Sequence, residues 1–265
     1  MAADGPADLL YEVQDGIARV TFNRPQARNA MLFSMYERLA EICAEIEADR
    51  SIRALILTGT GDKAFAAGTD ISQFRAFKTP EDALAYEARI DRVLGALERV
   101  RVPTIAAIAG ACTGGGAGMA ACCDLRIAAG NVRFGFPIAR TLGNCLSAAN
   151  YARLAALIGP ARVKEMMFTA RLIEAEEARA VGLVSEILPD AAALAVRADE
   201  LARLVAANAP LTLQATKESL RRIKDRSAAP GDADHDLLLM CYMSADFREG
   251  MEAFLSKRAP VWRGE

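Results

Sequence analysis

Twice in this chain an unbroken apolar run empties into a turn of glycine and alanine and re-emerges as a helix start. The first stretch is ALILTGTGDKAFAAGTDI, residues 54–71, and the second is TIAAIAGACTGGGAGMAA, residues 104–121. Short continuous apolar runs, as opposed to alternating ones, mark strands covered on both faces. Covering both faces takes helices, so strand–turn–helix succession predicts an α/β fold. The surrounding sequence agrees. Residues 9–13 and 17–22 flank Gln14-Asp15-Gly16 like the arms of a hairpin. Leu32, Met35, Tyr36, Leu39, Ile42, Cys43 and Ile46 recur at the spacing of one buried helical stripe. Thr79-Pro80-Glu81-Asp82 opens another helix, with Thr79 as cap and a stripe of Ala83, Tyr86, Ile90, Val93, Leu94 and Leu97. Residues 124–129 and 183–188 read as further strands. From Ser147 onward the pattern is mainly helical, broken at Gly159-Pro160, Pro189, Pro210 and Pro230-Gly231.

Composition removes several function classes. An apolar fraction of 52% excludes intrinsic disorder, and a net charge of −2 argues against a nucleic-acid partner. With one histidine, His235, no site needing two can be built within the chain. The six cysteines (Cys43, Cys112, Cys122, Cys123, Cys145 and Cys241) show no metal-ligand spacing and read as reduced thiols, so no metal is expected. Residues 102–123 carry no charge, enough to cross a bilayer at about 20 residues per span. Yet they include Pro103 and five glycines, which fits a strand, a turn and a small-residue helix better. The first residues, MAADGPADLLYEV, lack the basic and apolar regions of a signal peptide. A soluble, cytoplasmic protein without a membrane span is expected.

Side chains as small as those in the two glycine turns let backbone N–H groups approach a ligand closely, and a helix N-terminus favours negative charge there. Two such loops converging would offer one N–H each to a single oxygen. That is an oxyanion hole, whose individual donors are worth about 3 kcal/mol of transition-state stabilisation. Residues 116–121 also fit the G-x-G-x-x-A dinucleotide fingerprint, but no Asp or Glu occurs in residues 125–164 to hold a ribose, which disfavours NAD. For either loop alone, glycines placed only for tight helix–strand packing remain a sufficient explanation.

The chain resembles the enoyl-CoA hydratase/isomerase (crotonase) superfamily. The matching runs are NRPQARNAM at residues 23–31, KAFAAGTDI at 63–71, GGG followed by CDLRIA within 114–128, RFGFP at 133–137, AVGLVSEI at 180–187 and DFREGMEAFLSKR near the end. The resemblance implies a spiral of strand-strand-helix (ββα) units, residues 1–200 forming an acyl-CoA-binding core and residues 201–265 a helical oligomerisation region. It also implies a homotrimer or dimer of trimers. The ligand would be an acyl-CoA thioester, with coenzyme A arriving as part of the substrate and no separate cofactor. Backbone N–H groups of Thr69 and Gly115 would form the oxyanion hole. Ala67, Gly68, Asp70, Ile71, Ser72 and Gly114 would line the same loops. Arg28 and Lys257, with Arg24 and Arg258, are candidates for the CoA phosphates, and Phe254 for packing on the adenine.

The pattern departs from the family at its acid–base groups. Hydratases of the family carry two glutamates that manage one water; the corresponding positions here hold Gly118 and Ile138. Neither transfers a proton, and in residues 110–160 the only acidic side chain is Asp124, read as a structural partner. Ile138, Arg140 and Asn144 are candidates for the acyl pocket, with Arg140 as a holder of an acyl carboxylate. Cys145 reads as a small buried thiol. Two functions follow: an isomerase or lyase that relies mainly on enolate stabilisation, or a binding-only acyl-CoA module on the same fold.

Overall fold

A computed structural model describes residues 7–226 and 235–265, so the break expected at Pro230-Gly231 lies outside the described residues. In chain order the elements are β1 (Leu9–Gln14), β2 (Ile17–Phe22), α1 (Phe33–Ala48), β3 (Ala54–Gly59), β4 (Ala64–Ala66), α2 (Pro80–Arg99), β5 (Thr104–Ile108), β6 (Ala111–Thr113) and α3 (Gly115–Cys122). Then come β7 (Leu125–Ala129), β8 (Arg133–Gly135), α4 (Ile138–Thr141), α5 (Ala148–Ile158), α6 (Pro160–Thr169), β9 (Ile173–Glu174), α7 (Ala175–Ala180) and β10 (Glu186–Leu188). Helices α8 (Ala191–Ala206), α9 (Pro210–Arg226), α10 (His235–Tyr242) and α11 (Ala245–Leu255) complete the described chain.

Three successive strand-strand-helix units carry the architecture: β3–β4–α2, β5–β6–α3 and β7–β8–α4. The first strand of each unit enters a six-stranded sheet of order β1-β2-β3-β5-β7-β10, and the second enters a four-stranded sheet of order β4-β6-β8-β9. Pairing is parallel along β3–β5–β7 and along β4–β6–β8. This is the ββα spiral. The antiparallel β1–β2 hairpin turns at Asp15 and Gly16, both at positive φ (52° and 74°), which suits an Asp-Gly pair.

The apolar runs are buried on both faces, as their continuity predicts. In β3, Leu55 and Leu57 enter the main core with α1, α2 and α3, while Ala54 and Ile56 face the other way. There they meet Ile105, Ile127 and, on α8, Leu194, Ala198 and Leu201. A third cluster joins Phe74, Ala83, Tyr242, Phe247 and Met251, seating α10 and α11 over α2.

Thr79 and Asp82 form the capping box expected at the start of α2. The later strand needs correction. Residues 183–185 are not strand: after the turn at Gly182, with φ 74°, the amides of Val184 and Ser185 bond individually to Ala178 and Arg126 carbonyls. Helix α8 runs unbroken across residue 200 and packs on the sheet. Among the described residues no helix is long and apolar enough to cross a membrane.

Candidate functional site

The NRPQARNAM run folds as a one-turn helix at Pro25–Ala27 followed by Arg28 and Asn29, both left-handed with φ 51° and 56°. The Asn29 side chain, 1% exposed, holds this bend. It accepts from the Arg24 amide at 3.0 Å and donates to the carbonyls of Thr60 and Ala64 at 3.1 and 2.7 Å. The bend then grips the first glycine turn. Arg28 O accepts from Ala67 N at 3.1 Å, Met31 N donates to Gly68 O at 2.8 Å, and Asp70 N donates to Met31 O at 2.8 Å. Thr69 is thereby fixed between two bonded neighbours.

Parallel pairing of β4 with β6 sets the second glycine turn beside the first. Gly68 and Gly114 take positive φ (97° and 53°), and a Cβ on Gly114 would stand 3.3 Å from the Gly68 Cα. The positive φ favours glycine at both positions, and the close approach of the turns favours it again at 114. Gly115 begins α3, where backbone N–H groups have no intrahelical acceptor. Among the described residues, the amides of Thr69 and Gly115 have no protein acceptor, whereas Gly114 N donates to Gly135 O at 3.0 Å. The Thr69 hydroxyl bonds to Tyr36 Oη at 2.9 Å and to Tyr86 Oη at 3.0 Å. Burial pushes the Tyr36 phenol up to about 12 and the Tyr86 phenol well above its ordinary value, so both stay neutral.

Thr69 and Gly115 line one cavity of about 550 Å³, at the carboxyl ends of the parallel strands β4, β6 and β8. The cavity also takes in Arg28, Ala67, Gly68, Asp70, Ile71 and Gly114. Gly118, Ile138, Asn144 and Phe254 complete the expected residues within its lining. The structure does not bring Ser72, Arg140 or Lys257 into that lining. Ser72 instead donates to the Asp70 carboxylate from Oγ at 2.7 Å and from its amide at 3.2 Å. Arg140 points away because α4 turns it outward, and it is exposed; Lys257 is exposed after the end of α11. Arg24 is committed to Ala30 O and Asp70, and Arg258 to Glu249.

Asp70 is a clasp for its loop. Burial alone would raise its pKa, but the Ser72 hydrogen bonds and the Arg24 guanidinium outweigh it and hold the carboxyl below its ordinary range. Asp124 lies away from the cavity, accepting from Thr104 N, Thr104 Oγ1 and Lys217 Nζ at 2.8, 2.9 and 2.6 Å. It ties β5 to α9, the structural role expected of it. His235 is exposed at the start of α10.

Sequence reasoning missed one carboxylate. Glu87, on α2 and only 6% exposed, lines the cavity with Ile90 and Leu94 of the same helix face. Tyr242 Oη donates to Glu87 Oε1 at 2.5 Å, and Asn144 Nδ2 donates to Tyr242 Oη at 3.1 Å. Asn144 Oδ1 is buried and has no hydrogen-bond partner among the described residues. The signal was present: Glu87 sits four residues after Ala83 and three before Ile90, a charge on an otherwise apolar stripe. Among the described residues no cluster of His, Cys, Asp or Glu is arranged to hold a metal ion.

The family profile for enoyl-CoA hydratase/isomerase matches residues 12–265. The chain belongs to this family. It is 34% identical to the short-chain-enoyl-CoA hydratase of Clostridium acetobutylicum, with 95% of each chain covered. Among solved structures it resembles an enoyl-CoA hydratase/carnithine racemase from Magnetospirillum magneticum, with a TM-score of 0.79 at 35% identity, covering 98% of this chain and 97% of that one. It also resembles a methylmalonyl-CoA decarboxylase in complex with 2-nitronate-propionyl-CoA, with a TM-score of 0.88 at 27% identity, covering 98% of this chain and all of the other. The enoyl-CoA hydratase/isomerase family acts on acyl-CoA thioesters, and its crotonase fold is the ββα spiral described above.

Proposed function

We propose that this family member binds an acyl-CoA thioester with its carbonyl oxygen between the amides of Thr69 and Gly115, and stabilises the enolate formed there. One observation carries the reading: two amides without an acceptor among the described residues, on glycine turns in contact, line the same cavity. Neutral, preorganised N–H donors stabilise a developing oxyanion without titrating. Ala67, Gly68, Asp70, Ile71 and Gly114 form the surrounding wall; in this reading Arg28 and Phe254 meet the CoA portion, and Ile138 and Asn144 the acyl portion. Coenzyme A enters as part of the substrate, with no separate cofactor. The active unit is a homotrimer or dimer of trimers in the cytoplasm.

The chemistry is an isomerase or lyase step through the enolate, not two-glutamate hydration. Both positions that carry those glutamates in hydratases hold side chains that transfer no proton, Gly118 and Ile138, and both line the cavity. The same substitution favours a second reading, a binding-only module. Calorimetric titration with butyryl-CoA tests the shared premise: saturable binding at one site per chain is expected, and no binding would overturn both readings. Turnover on a panel of enoyl-CoA thioesters separates them. Crotonyl-CoA hydration at the rate of a two-glutamate hydratase would contradict the assignment of Gly118 and Ile138.

A further inference from the structure

With the two hydratase glutamates absent, the cavity retains two carboxylates in its lining, Asp70 and Glu87. Asp70 is spent on Ser72 and Arg24. Glu87 enters from a different wall. Along α2, residues 87, 90 and 94 are spaced to share one helix face, and all three line the cavity. That face lies against α3 at Gly118, where an added Cβ would meet Leu94 Cδ1 at 3.3 Å. The position that carries a glutamate in hydratases is thus filled by the approach of the helix that brings Glu87.

Two further contacts locate the wall that carries this carboxylate. Tyr86, its chain neighbour, bonds through Oη to the Thr69 hydroxyl at 3.0 Å. The Cα of Glu87 is therefore about 3.8 Å from that of a residue touching the oxyanion loop. On the other side, Asn144 Nδ2 donates to Tyr242 Oη, leaving the single phenolic hydrogen for Glu87 Oε1. The Tyr242 hydroxyl thus fixes the orientation of the Glu87 carboxyl group in the cavity wall.

Resting on the thioester placement above, we propose that Glu87 is the catalytic base that removes a proton from C2 of the bound acyl group, with Tyr242 and Asn144 as its positioning residues. In the step, the C2–H bond breaks and the proton passes to a Glu87 carboxylate oxygen. The bonding pair becomes the C1–C2 double bond, and the carbonyl pair moves onto the oxygen held by the Thr69 and Gly115 amides. Return of a proton from Glu87 to C2 reverses it. No oxidant or metal enters the balance.

The test is deuterium incorporation at C2 of butyryl-CoA in D2O, read by mass spectrometry beside calorimetric binding of the same thioester. Wild type is expected to bind and to incorporate deuterium. Glu87→Gln keeps an acceptor for Tyr242 and should bind within about threefold of wild type, while incorporation falls at least about 100-fold. Glu87→Asp, which retains a withdrawn carboxylate, should fall between the two and serves if the glutamine variant does not fold. Equal incorporation by Glu87→Gln and wild type would overturn the assignment of Glu87. Binding by wild type without any incorporation would overturn it too, leaving the thioester reading intact. Absence of binding would remove that reading and this one together.

Discussion

The Tyr36 hydroxyl occupies the space that a side chain on Gly115 would need: a Cβ there would stand 2.0 Å from Tyr36 Oη and 3.2 Å from Cζ. Tyr36 is fully buried on α1, so it has no room to retreat. Gly115→Ala is expected to lower stability by about 1–3 kcal/mol through overpacking. Because the same shift displaces the proposed oxyanion donor, it should also weaken thioester binding. Adding Tyr36→Phe removes the clashing oxygen and should recover part of the loss. A double-mutant cycle on urea unfolding reads this directly: strictly additive losses would show that the two residues do not meet.

Thr69 gives a separable prediction, since its side chain and its amide do different things. Thr69→Val keeps the shape and the N–H but removes the partner shared by the Tyr36 and Tyr86 hydroxyls. Leaving buried hydroxyls short of a partner costs about 1–3 kcal/mol each. The midpoint of thermal unfolding should fall for Thr69→Val and stay near wild type for Thr69→Ser. An unchanged midpoint for valine would contradict the bridging role.

How much of this was legible beforehand follows from the range of each interaction. The helical stripes of α1 and α2, the Thr79 cap and the Asp-Gly hairpin turn are local, and local patterns are written in consecutive residues. The glycine turns were legible as loops, and the motif resemblance placed Thr69 and Gly115 on them. Strands β4, β6 and β8, of three residues each, carry no periodicity of their own, yet their parallel pairing is what sets the turns side by side. Glu87 was missed for a related reason. Its partner Tyr242 is 155 residues away, and a search for carboxylates around the second glycine turn alone cannot reach a wall supplied by α2.

Alkaline pH should unfold this protein early. Burial pushes the phenols of Tyr36 and Tyr151 up to about 12, and those of Tyr86 and Tyr242 well above their ordinary value of 10.0. Above pH 10 the unfolded chain releases these protons while the folded one keeps them, so the unfolded state binds fewer and stability falls as pH rises. The stabilisation is therefore complete below pH 10 and is lost as pH climbs through the folded values. Each phenol contributes a slope of about 1.4 kcal/mol per pH unit in that window. The thiols of Cys43 and Cys122, also raised by burial to about 12, act in the same direction from pH 9. Urea midpoints at pH 8, 9, 10 and 11 should decline progressively, and less steeply in Tyr242→Phe. A flat profile would refute the burial of these groups.

Glu98 makes the opposite prediction on the acid side. It lies at the end of α2, where Arg153 Nε of α5 approaches to 3.3 Å and Lys224 Nζ of α9 also bonds to it. Arg153 is 8% exposed, so this is a largely desolvated cluster joining three helices. Burial works to raise the Glu98 carboxyl, but Arg153 and Lys224 outweigh it and hold the group below its ordinary value of 4.5. The stability it confers is thus present above about pH 4.5 and is lost as pH falls through the lower folded value. Glu98→Gln removes the charge that offsets two cations and should cost about 3 kcal/mol at pH 7. Because protonation of wild-type Glu98 mimics the substitution, the gap between the two proteins should narrow at lower pH. Urea unfolding of both at pH 7 and pH 4 measures it, and a gap that stays constant or widens on acidification would contradict the ion-pair assignment.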